Sequence, residues 1–243
     1  MTKDYISIDI EATGLNPKTD RIIEIGAVKV VNGEIVDSFE QFVNPGRKIS
    51  ERIIELTGIT NEMLIDAKEA DEVMQSLLEF ISTKTLFLGH SILFDFSFLK
   101  RYCIDLQLID PKGVGFNRKG IDTLRIARAC LPELESRALP SLCEHFGIIL
   151  QAHRALNDAM ATHELYQILC KEFGEKEGFS ELFEPRDLVY QVKRQRPITI
   201  HQKERIIRFV KQYGIDFDFQ IDSLTKNEAD RMMDLWKLQY GKK

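Results

Sequence analysis

Residues 5–28, YISIDIEATGLNPKTDRIIEIGAV, decide the fold and hold its most informative pair of residues. Isoleucine alternates with polar residues over 6–10, which is typical of a strand. Because side chains two positions apart in a strand point to the same face, Asp9 and Glu11 project together. Two like charges in an apolar strand are costly unless a cation neutralises them. The turn beginning at Thr13 places both acids at the C-terminal end of the strand, where open α/β sheets bind ligands.

The rest of the chain predicts an α/β fold, a mixed sheet flanked by helices. Two more strand-like runs follow the first within residues 22–45 and predict an antiparallel meander. Later segments alternate short apolar strands with helical spacing of Ile, Leu, Met and Phe. We expect one domain over residues 1–174, a linker over 175–197 where periodicity is weak, and a small helical module over 198–243.

The composition is that of an ordinary globular protein, 44% hydrophobic and 29% charged. A net charge of −5 gives no general attraction to nucleic acid, so phosphate binding would come from metal ions or a local basic patch. The four cysteines form no CxxC pair and are expected to be reduced thiols. We find no signal sequence and no apolar run of transmembrane length, and therefore expect a cytoplasmic protein with no membrane partner.

Two more segments place an acid at the edge of a buried element. In HSILFDFSFL, residues 90–99, Asp95 follows an apolar strand and starts an amphipathic helix, so it is either a functional carboxylate or the N-cap of that helix. In HRALNDA, residues 153–159, Asp158 lies just inside a helix and His153 lies on the loop before it. His153 is suited to be a general base near neutral pH, and a surface histidine is the alternative.

Together, four carboxylates and one histidine from three distant segments predict a single oxygen-rich site. The set has neither the cysteines nor the paired histidines that zinc usually takes, so it favours Mg²⁺ or Mn²⁺. Two such ions close together activate a water and stabilise the leaving oxygen of a phosphodiester. The acids of the first strand are therefore predicted to be metal ligands.

The segments DIEATG, HSILFDFSFL and HRALNDA resemble, in this order and spacing, the three motifs of the DEDDh 3′–5′ exonucleases, and in particular their DnaQ-like members. The resemblance covers about residues 3–173 and implies a ribonuclease H-like fold with two divalent ions, Mg²⁺ or Mn²⁺. It implies hydrolysis from the free 3′ end of single-stranded nucleic acid, with DNA favoured, and release of nucleoside monophosphates. His153 would deprotonate the attacking water. The implied metal ligands are Asp9, Glu11, Asp95 and Asp158, and the implied substrate contacts are Thr13, Gly14, Leu15, Ser91 and Phe94.

One position departs from the family pattern. The residue after His90 is often Asn in this family and is Ser91 here, whose shorter side chain reaches less far toward a substrate. Glu24 matches a usual feature of the family, and we interpret it as structural. His90 is expected to be a hydrogen-bonding structural histidine, and Phe94 has core packing as its alternative role.

The C-terminal segment leaves its role open. Between residues 193 and 211, seven Lys and Arg face one acid, Glu204, which favours phosphate contact, whereas a solvated helix face would give the same pattern. Apolar residues around Trp236 suit the docking of a partner, such as a DNA polymerase or another replication or repair protein. An RNA-trimming exonuclease and a non-catalytic adaptor are the alternative functions. A non-catalytic member would be expected to lack one of the acids or the histidine, and all of them are present here.

Overall fold

A six-stranded sheet forms the centre of the N-terminal part of the chain in the computed structural model. The structure describes residues 1–81, 86–108, 116–150, 154–189, 197–215, 220–224, 229, 232, 233, 236 and 240. The strands are β1 (Tyr5–Ala12), β2 (Ile22–Val31), β3 (Glu34–Phe42), β4 (Phe87–Gly89), β5 (Arg118–Asp122) and β6 (Arg186–Leu188). They lie in the order β3-β2-β1-β4-β5-β6.

Eight α-helices are assigned within the described residues, and none of these is long and apolar enough to cross a membrane. They are α1 (Glu51–Thr57), α2 (Asn61–Ile65), α3 (Ala70–Phe80), α4 (Leu93–Asp105), α5 (Thr123–Cys130), α6 (Leu139–Phe146), α7 (Ala155–Phe173) and α8 (Ile200–Tyr213). Short 3₁₀ turns cover Ser180–Phe183 and Ile221–Ser223.

The strand pairing confirms the predicted mixed sheet. Strands β1, β2 and β3 form the antiparallel meander, and β1 is also parallel to β4. Strand β4 is parallel to β5, and β6 closes the far edge antiparallel to β5. The C-terminal ends of β1, β4 and β5 therefore meet at one end of the sheet, where the predicted site residues lie.

Alternation along β1 divides its side chains between two cores. Ile6, Ile8 and Ile10 are buried against α3 and α4 on one face. Tyr5 packs on the other face with α5, α6 and α7. On that second face the hydroxyl of Ser7 donates to the carbonyl of Ala159 in α7 at 2.7 Å. The odd-numbered residues of β1, including both acids, thus face α7.

The first turn of α7 rests directly on β2. A Cβ added to Gly26 would lie 2.0 Å from the backbone nitrogen of Leu156 and 2.1 Å from the carbonyl carbon of Ala155. Only glycine leaves room for that approach. Because Gly26 pairs with Asp9 across the β1–β2 ladder, this contact brings the helix over the acids.

Two sequence expectations differ from the structure in detail. Residues 49–64, ISERIIELTGITNEML, are one of the segments with helical spacing of Ile, Leu and Met, but they form two helices, α1 and α2. The break occurs because Gly58 adopts a φ of 68° and its N–H donates to the carbonyl of Ile54, which ends α1. Residues 180–188 lie in the segment expected to be a linker, yet they form a 3₁₀ turn and strand β6. Leu188 is buried in the core of the sheet.

The chain divides into two compact units, Met1–Tyr190 and Gln191–Lys243. In the second unit, α8 begins with a capping box between Thr199 and Gln202 and ends at Gly214 in a left-handed conformation. Its small apolar core contains Ile198, Ile206, Ala229 and Met233. This confirms a small helical C-terminal appendage, while the proposed boundaries of the domains remain proposals.

Candidate metal centre

Three of the predicted metal-binding acids converge at the end of β1. Asp9 and Glu11 lie two residues apart on this strand, and Asp158 lies in the first turn of α7. Each offers a carboxylate oxygen, and these oxygens all lie within 4.8 Å of one another. Asp158 is buried, whereas Asp9 and Glu11 are half-buried and open toward solvent. The convergence joins residues that are about 150 positions apart in sequence.

Asp95 approaches the same place from α4. It is the third residue of that helix, and the N-cap position belongs to Ile92, so Asp95 is not the N-cap. Its carboxylate Oδ1 accepts a hydrogen bond of 3.1 Å from the backbone N–H of Ile10, the residue between Asp9 and Glu11. Asp95 is only 2% exposed. The fourth acid is therefore held against the backbone that carries the first two.

The cluster raises the pKa of its own acids. Burial, with the charges of Asp95 and Asp158 as further causes, holds the pKa of Asp9 well above its usual range. Burial and the nearby Asp158 raise the pKa of Glu11 to about 8. Burial also raises the pKa of Asp95, although backbone N–H donors oppose that shift. Without a cation, burial and the neighbouring negative charges therefore disfavour the ionised form of each of these acids.

Glu24 fastens α7 to the sheet. Its side chain is fully buried, and its Oε2 accepts a 3.0 Å hydrogen bond from the N–H of Ala155, the first residue of α7. Its Oε1 accepts from Nε of Arg154 at 3.0 Å, and Nη2 of Arg154 also bonds Glu40 at 3.0 Å. Glu24 stands directly opposite Glu11 in the ladder. This network supports the structural interpretation of Glu24 and fixes the helix that presents Asp158.

The loop after β1 carries the predicted contacts Thr13, Gly14 and Leu15. The Thr13 hydroxyl accepts a 2.8 Å hydrogen bond from Nη2 of Arg47, which also lies 3.6 Å from Oδ1 of Asp20. A Cβ on Gly14 would lie 2.4 Å from Asp20 Oδ2, so a larger residue would displace the loop. Leu15 is 46% exposed beside the acids in sequence. The apolar side chain of Leu15 is thus exposed on a loop that Arg47 holds through the Thr13 hydroxyl.

Ser91 lies on the connection from β4 to α4, and Phe94 is the second residue of α4. Ser91 has a φ of 75°, in the left-handed region, and its N–H donates to Oδ1 of Asp122 at 3.0 Å. Asn tolerates that region better than most residues, which gives a physical reason for the usual family residue at this position. Phe94 is half-buried and packs on Phe98 with ring centroids 5.0 Å apart. Its position fits core packing as well as a substrate contact.

Of the two histidines in the motifs, only His90 lies among the residues that the structure describes. His153 lies outside the described residues, although the next residue, Arg154, is anchored by Glu24. The His90 ring is hydrogen-bonded on both nitrogens, to the Thr123 hydroxyl and the Arg137 carbonyl, each at 2.9 Å. Burial lowers the pKa of His90. His90 is therefore a structural histidine, as the sequence predicted.

Sequence reasoning missed two supporting arginines and one acid. Arg154 stood inside the third motif, next to His153, and that position was a usable signal. Arg47 had no signal, because its partners lie about 30 residues earlier in a loop. Asp122 caps α5 by accepting from the N–H groups of Leu124 and Arg125, and it was hidden in an ordinary strand-to-helix junction.

The donor set fits hard divalent cations. All three clustered ligands are carboxylates, and the described part of the chain brings no Cys or His into their group. Oxygen donors of this kind select Mg²⁺, Mn²⁺ or Ca²⁺ over soft metals. A bound cation would also remove the electrostatic penalty that raises the pKa of Asp9 and Glu11.

The part of the chain that carries these acids matches a known protein family. Residues 6–166 match the family model RNase_T, described as exonuclease. The chain is 41% identical over 184 residues to the PolC-type DNA polymerase III of Bacillus cereus, covering 72% of this chain and 12% of that protein. It is 36% identical over 233 residues to the PolC-type enzyme of Oceanobacillus iheyensis, covering 92% of this chain and 16% of that protein. The chain thus spans only about an eighth to a sixth of these relatives' length.

Solved structures share the fold. Exonuclease X in complex with 5′-overhanging duplex DNA superposes with a TM-score of 0.55 at 24% identity, covering 73% of this chain and 98% of that one. The zinc-bound complex of Escherichia coli exonuclease I with single-stranded DNA gives a TM-score of 0.64 at 20% identity, covering 72% and 42%. The sheet and helices therefore form the ribonuclease H-like exonuclease fold that the sequence predicted.

Replacement of Glu24 tests the anchoring of α7. Glu24→Gln puts an amide N–H₂ where a carboxylate oxygen accepted a hydrogen bond, so the variant should lose about 1.5–3 kcal/mol of unfolding free energy. Glu40→Gln is the matched control, since it removes the exposed partner of the same Arg154 and should cost less than about 1 kcal/mol. Urea denaturation measures both. Equal losses in the two variants would contradict a special role for the buried carboxylate.

The raised pKa values predict how stability depends on pH and on metal. Acids with a raised pKa hold their protons in the folded state, so the contribution of this cluster to the stability of the metal-free protein is fully present below about pH 5 and is lost as pH rises toward about 8. Mg²⁺ or Mn²⁺ favours the ionised acids and should oppose the loss, most strongly at the upper end. Melting temperatures in EDTA and in Mg²⁺ across this range measure the effect, and Asp9→Asn should flatten the EDTA curve. An EDTA curve that rises with pH would contradict the account.

Proposed function

The chain belongs to the exonuclease family, and on that premise we propose that it hydrolyses single-stranded DNA from the 3′ end in a reaction that depends on divalent metal ions. The observation that carries the proposal is the convergence of Asp9, Glu11 and Asp158, with Asp95 hydrogen-bonded to the backbone between the first two. A purely structural role would not require several carboxylates to be brought together, because their mutual repulsion is costly. A phosphodiesterase with two metal ions does require it.

The residues of the site would divide the work. Asp9, Glu11, Asp95 and Asp158 would hold two Mg²⁺ or Mn²⁺ ions, which supply water activation and neutralisation of charge on the leaving oxygen. His153 would accept the proton of the attacking water. Since Arg154 and Ala155 are tied to Glu24, the backbone that follows His153 is anchored to the sheet at the site. Phosphodiester hydrolysis would release a nucleoside monophosphate.

The loop after β1 would recognise the strand end. The exposed side chain of Leu15 would pack against the terminal base, and the backbone of Thr13 and Gly14 would contact the terminal nucleotide. Arg47 braces this loop through the Thr13 hydroxyl, which keeps the contact surface fixed. Ser91 and Phe94 would border the same nucleotide from the start of α4.

DNA is the proposed substrate because the relatives at 36–41% identity are named as DNA polymerases. A role in proofreading, repair or end trimming belongs to the same proposal, as does a cytoplasmic location. The C-terminal unit would bind either a DNA polymerase or another replication or repair protein. The basic residues of α8, among them Arg205 and Arg208, favour contact of this unit with the strand itself as the alternative.

Hydrolysis of labelled strands tests the proposal. We expect a ladder that shortens from the 3′ end of single-stranded DNA in Mg²⁺ or Mn²⁺ and disappears in EDTA. Asp9→Asn should lower kcat by about 10³-fold or more, because a metal ligand that neutralises developing charge is lost. His153→Ala should lower kcat by about 10²–10⁴-fold, the usual contribution of a general base.

Asp37→Asn, which alters an exposed acid on β3, is the control and should match wild type. Parallel reactions with 5′-labelled and 3′-labelled DNA and RNA strands report polarity and sugar preference. If RNA is shortened faster than DNA, RNA is the preferred substrate and the proposal of DNA is wrong. Full activity in both Asp9→Asn and His153→Ala would contradict the proposed site. No cleavage with any metal would contradict the proposed hydrolysis and favour the adaptor.

A further inference from the structure

A groove next to the acid cluster is lined by three arginines. It has a volume of about 570 Å³ and lies between the start of α4, helix α5, the 3₁₀ turn and β6. We call it the arginine groove and define it by Ser91, Leu93, Asp122, Arg125, Arg128 and Arg186. All six belong to the first compact unit.

The three guanidinium groups concentrate positive charge in a chain of net charge −5. Within the described ranges, none of them forms an ion pair with a carboxylate. Arg125 and Arg128 are three residues apart on α5, so they share one face about 5–6 Å apart at Cβ. Arg186 enters from β6, and its charge helps to lower the pKa of Arg125, behind burial as the main cause.

One guanidinium nitrogen in the groove has no hydrogen-bond partner among the described residues. Nη2 of Arg125 donates to the carbonyl of Leu182, whereas Nη1 is buried and bonds to none of the residues that the structure describes. A buried donor without an acceptor costs free energy comparable to a lost hydrogen bond. Arg128 and Arg186 are exposed, and the planar guanidinium group of each suits the two oxygens of a phosphate.

The single acid of the groove does not cancel this charge. Oδ1 of Asp122 accepts hydrogen bonds from the backbone N–H groups of Ser91, Leu124 and Arg125, at 3.0, 3.0 and 3.3 Å. The carboxylate is therefore directed at the backbone that it caps. The three positive charges of the arginines therefore outnumber the one carboxylate of the groove, which is already hydrogen-bonded to the backbone.

The groove adjoins the proposed site of hydrolysis. Ser91 lies just before α4, Leu93 is the first residue of that helix, and Asp95 follows Leu93 by two residues. Oδ1 of Asp122 accepts a 3.0 Å hydrogen bond from the N–H of Ser91, four residues before Asp95, so the end of β5 lies beside the start of α4. Leu93 is 50% exposed and gives the groove an apolar side. A chain that enters the acid cluster can thus continue across the arginines.

We propose that the arginine groove binds the phosphodiester backbone of the substrate strand on the 5′ side of its 3′ end, with Arg128 and Arg186 contacting phosphates and Arg125 supporting them. This inference rests on the proposed function, since it takes the acid cluster as the place where the 3′ end is cut. Charge complementarity and adjacency favour a nucleic-acid strand over an acidic peptide. The exposed side chain of Leu93 beside the arginines offers an apolar surface to a base.

Binding of a strand tests the groove independently of hydrolysis. The double variant Arg128→Gln/Arg186→Gln should weaken binding of a fluorescent DNA strand of about 20 nucleotides by at least about tenfold in low salt, as measured by anisotropy in EDTA. The slope of log Kd against log salt should change by about 1.4, the value for two lost phosphate contacts to a single strand. Arg128→Lys/Arg186→Lys keeps the charge and should keep the slope.

The matched control is Lys3→Gln/Lys171→Gln, which removes two exposed cations at the opposite end of the sheet and of α7. From the rise of strand and helix, these positions lie about 20 Å from Asp9 and Asp158 along the same elements. The control should bind the strand as wild type does. Unchanged binding and slope in the glutamine variant, or an equal loss in the control, would overturn the groove proposal.

Kinetics separate this proposal from the proposed function. A nitrophenyl ester of thymidine monophosphate fills only the hydrolytic site, so the glutamine variant should hydrolyse it within twofold of wild type, while KM for the long strand rises. If the wild-type protein cleaves neither substrate but the glutamine variant binds the strand more weakly, the proposed exonuclease activity is refuted and strand binding by the arginine groove is supported. Wild type that cleaves both, with a variant of unchanged KM, would refute the groove alone.

Discussion

The contact between the first turn of α7 and strand β2 is the constraint on which the acid cluster depends. Gly26 has no side chain, so the backbone of Ala155 and Leu156 sits where a Cβ would be. Two residues earlier on β2, Glu24 meets the N–H of Ala155. Because Gly26 and Glu24 are the ladder partners of Asp9 and Glu11, the register of β1 on β2 places Asp158 over both acids. Strand register, helix position and carboxylate geometry are thus one feature.

This arrangement works against the stability of the metal-free fold. The acids raise one another's pKa, and their ionisation near neutral pH costs free energy that packing elsewhere must offset. The isoleucines of β1 are buried on the opposite face, and each fully buried side chain of this size contributes about 1.5–3 kcal/mol. The strand therefore combines a stabilising face with a face that is favourable only with a cation. Such local conflict is expected at functional sites.

Much of this could be predicted from the sequence, because its signals are local. Period-two alternation placed Asp9 and Glu11 on one face, and turn residues delimited the meander. The joining of Glu24 to Ala155 could not be predicted from spacing, since it connects residues 131 positions apart. Strand β6 was missed because Arg186–Leu188 has only three residues, too few for a periodic pattern, and depends on pairing with β5. The arginine groove assembles side chains from α5 and β6, which are about 60 positions apart in sequence, so no local pattern indicated it.

The central claim is that the four acids form one divalent-metal site whose protons are displaced by the ion. Calorimetric titration of Mn²⁺ at pH 7, repeated in buffers of different ionisation enthalpy, measures both the number of ions and the number of protons released. We expect two ions per chain with net proton release, because metal binding must deprotonate acids whose pKa is raised. Asp9→Asn should reduce both values. Absence of binding, or binding without proton release that persists in Asp9→Asn, would contradict the account.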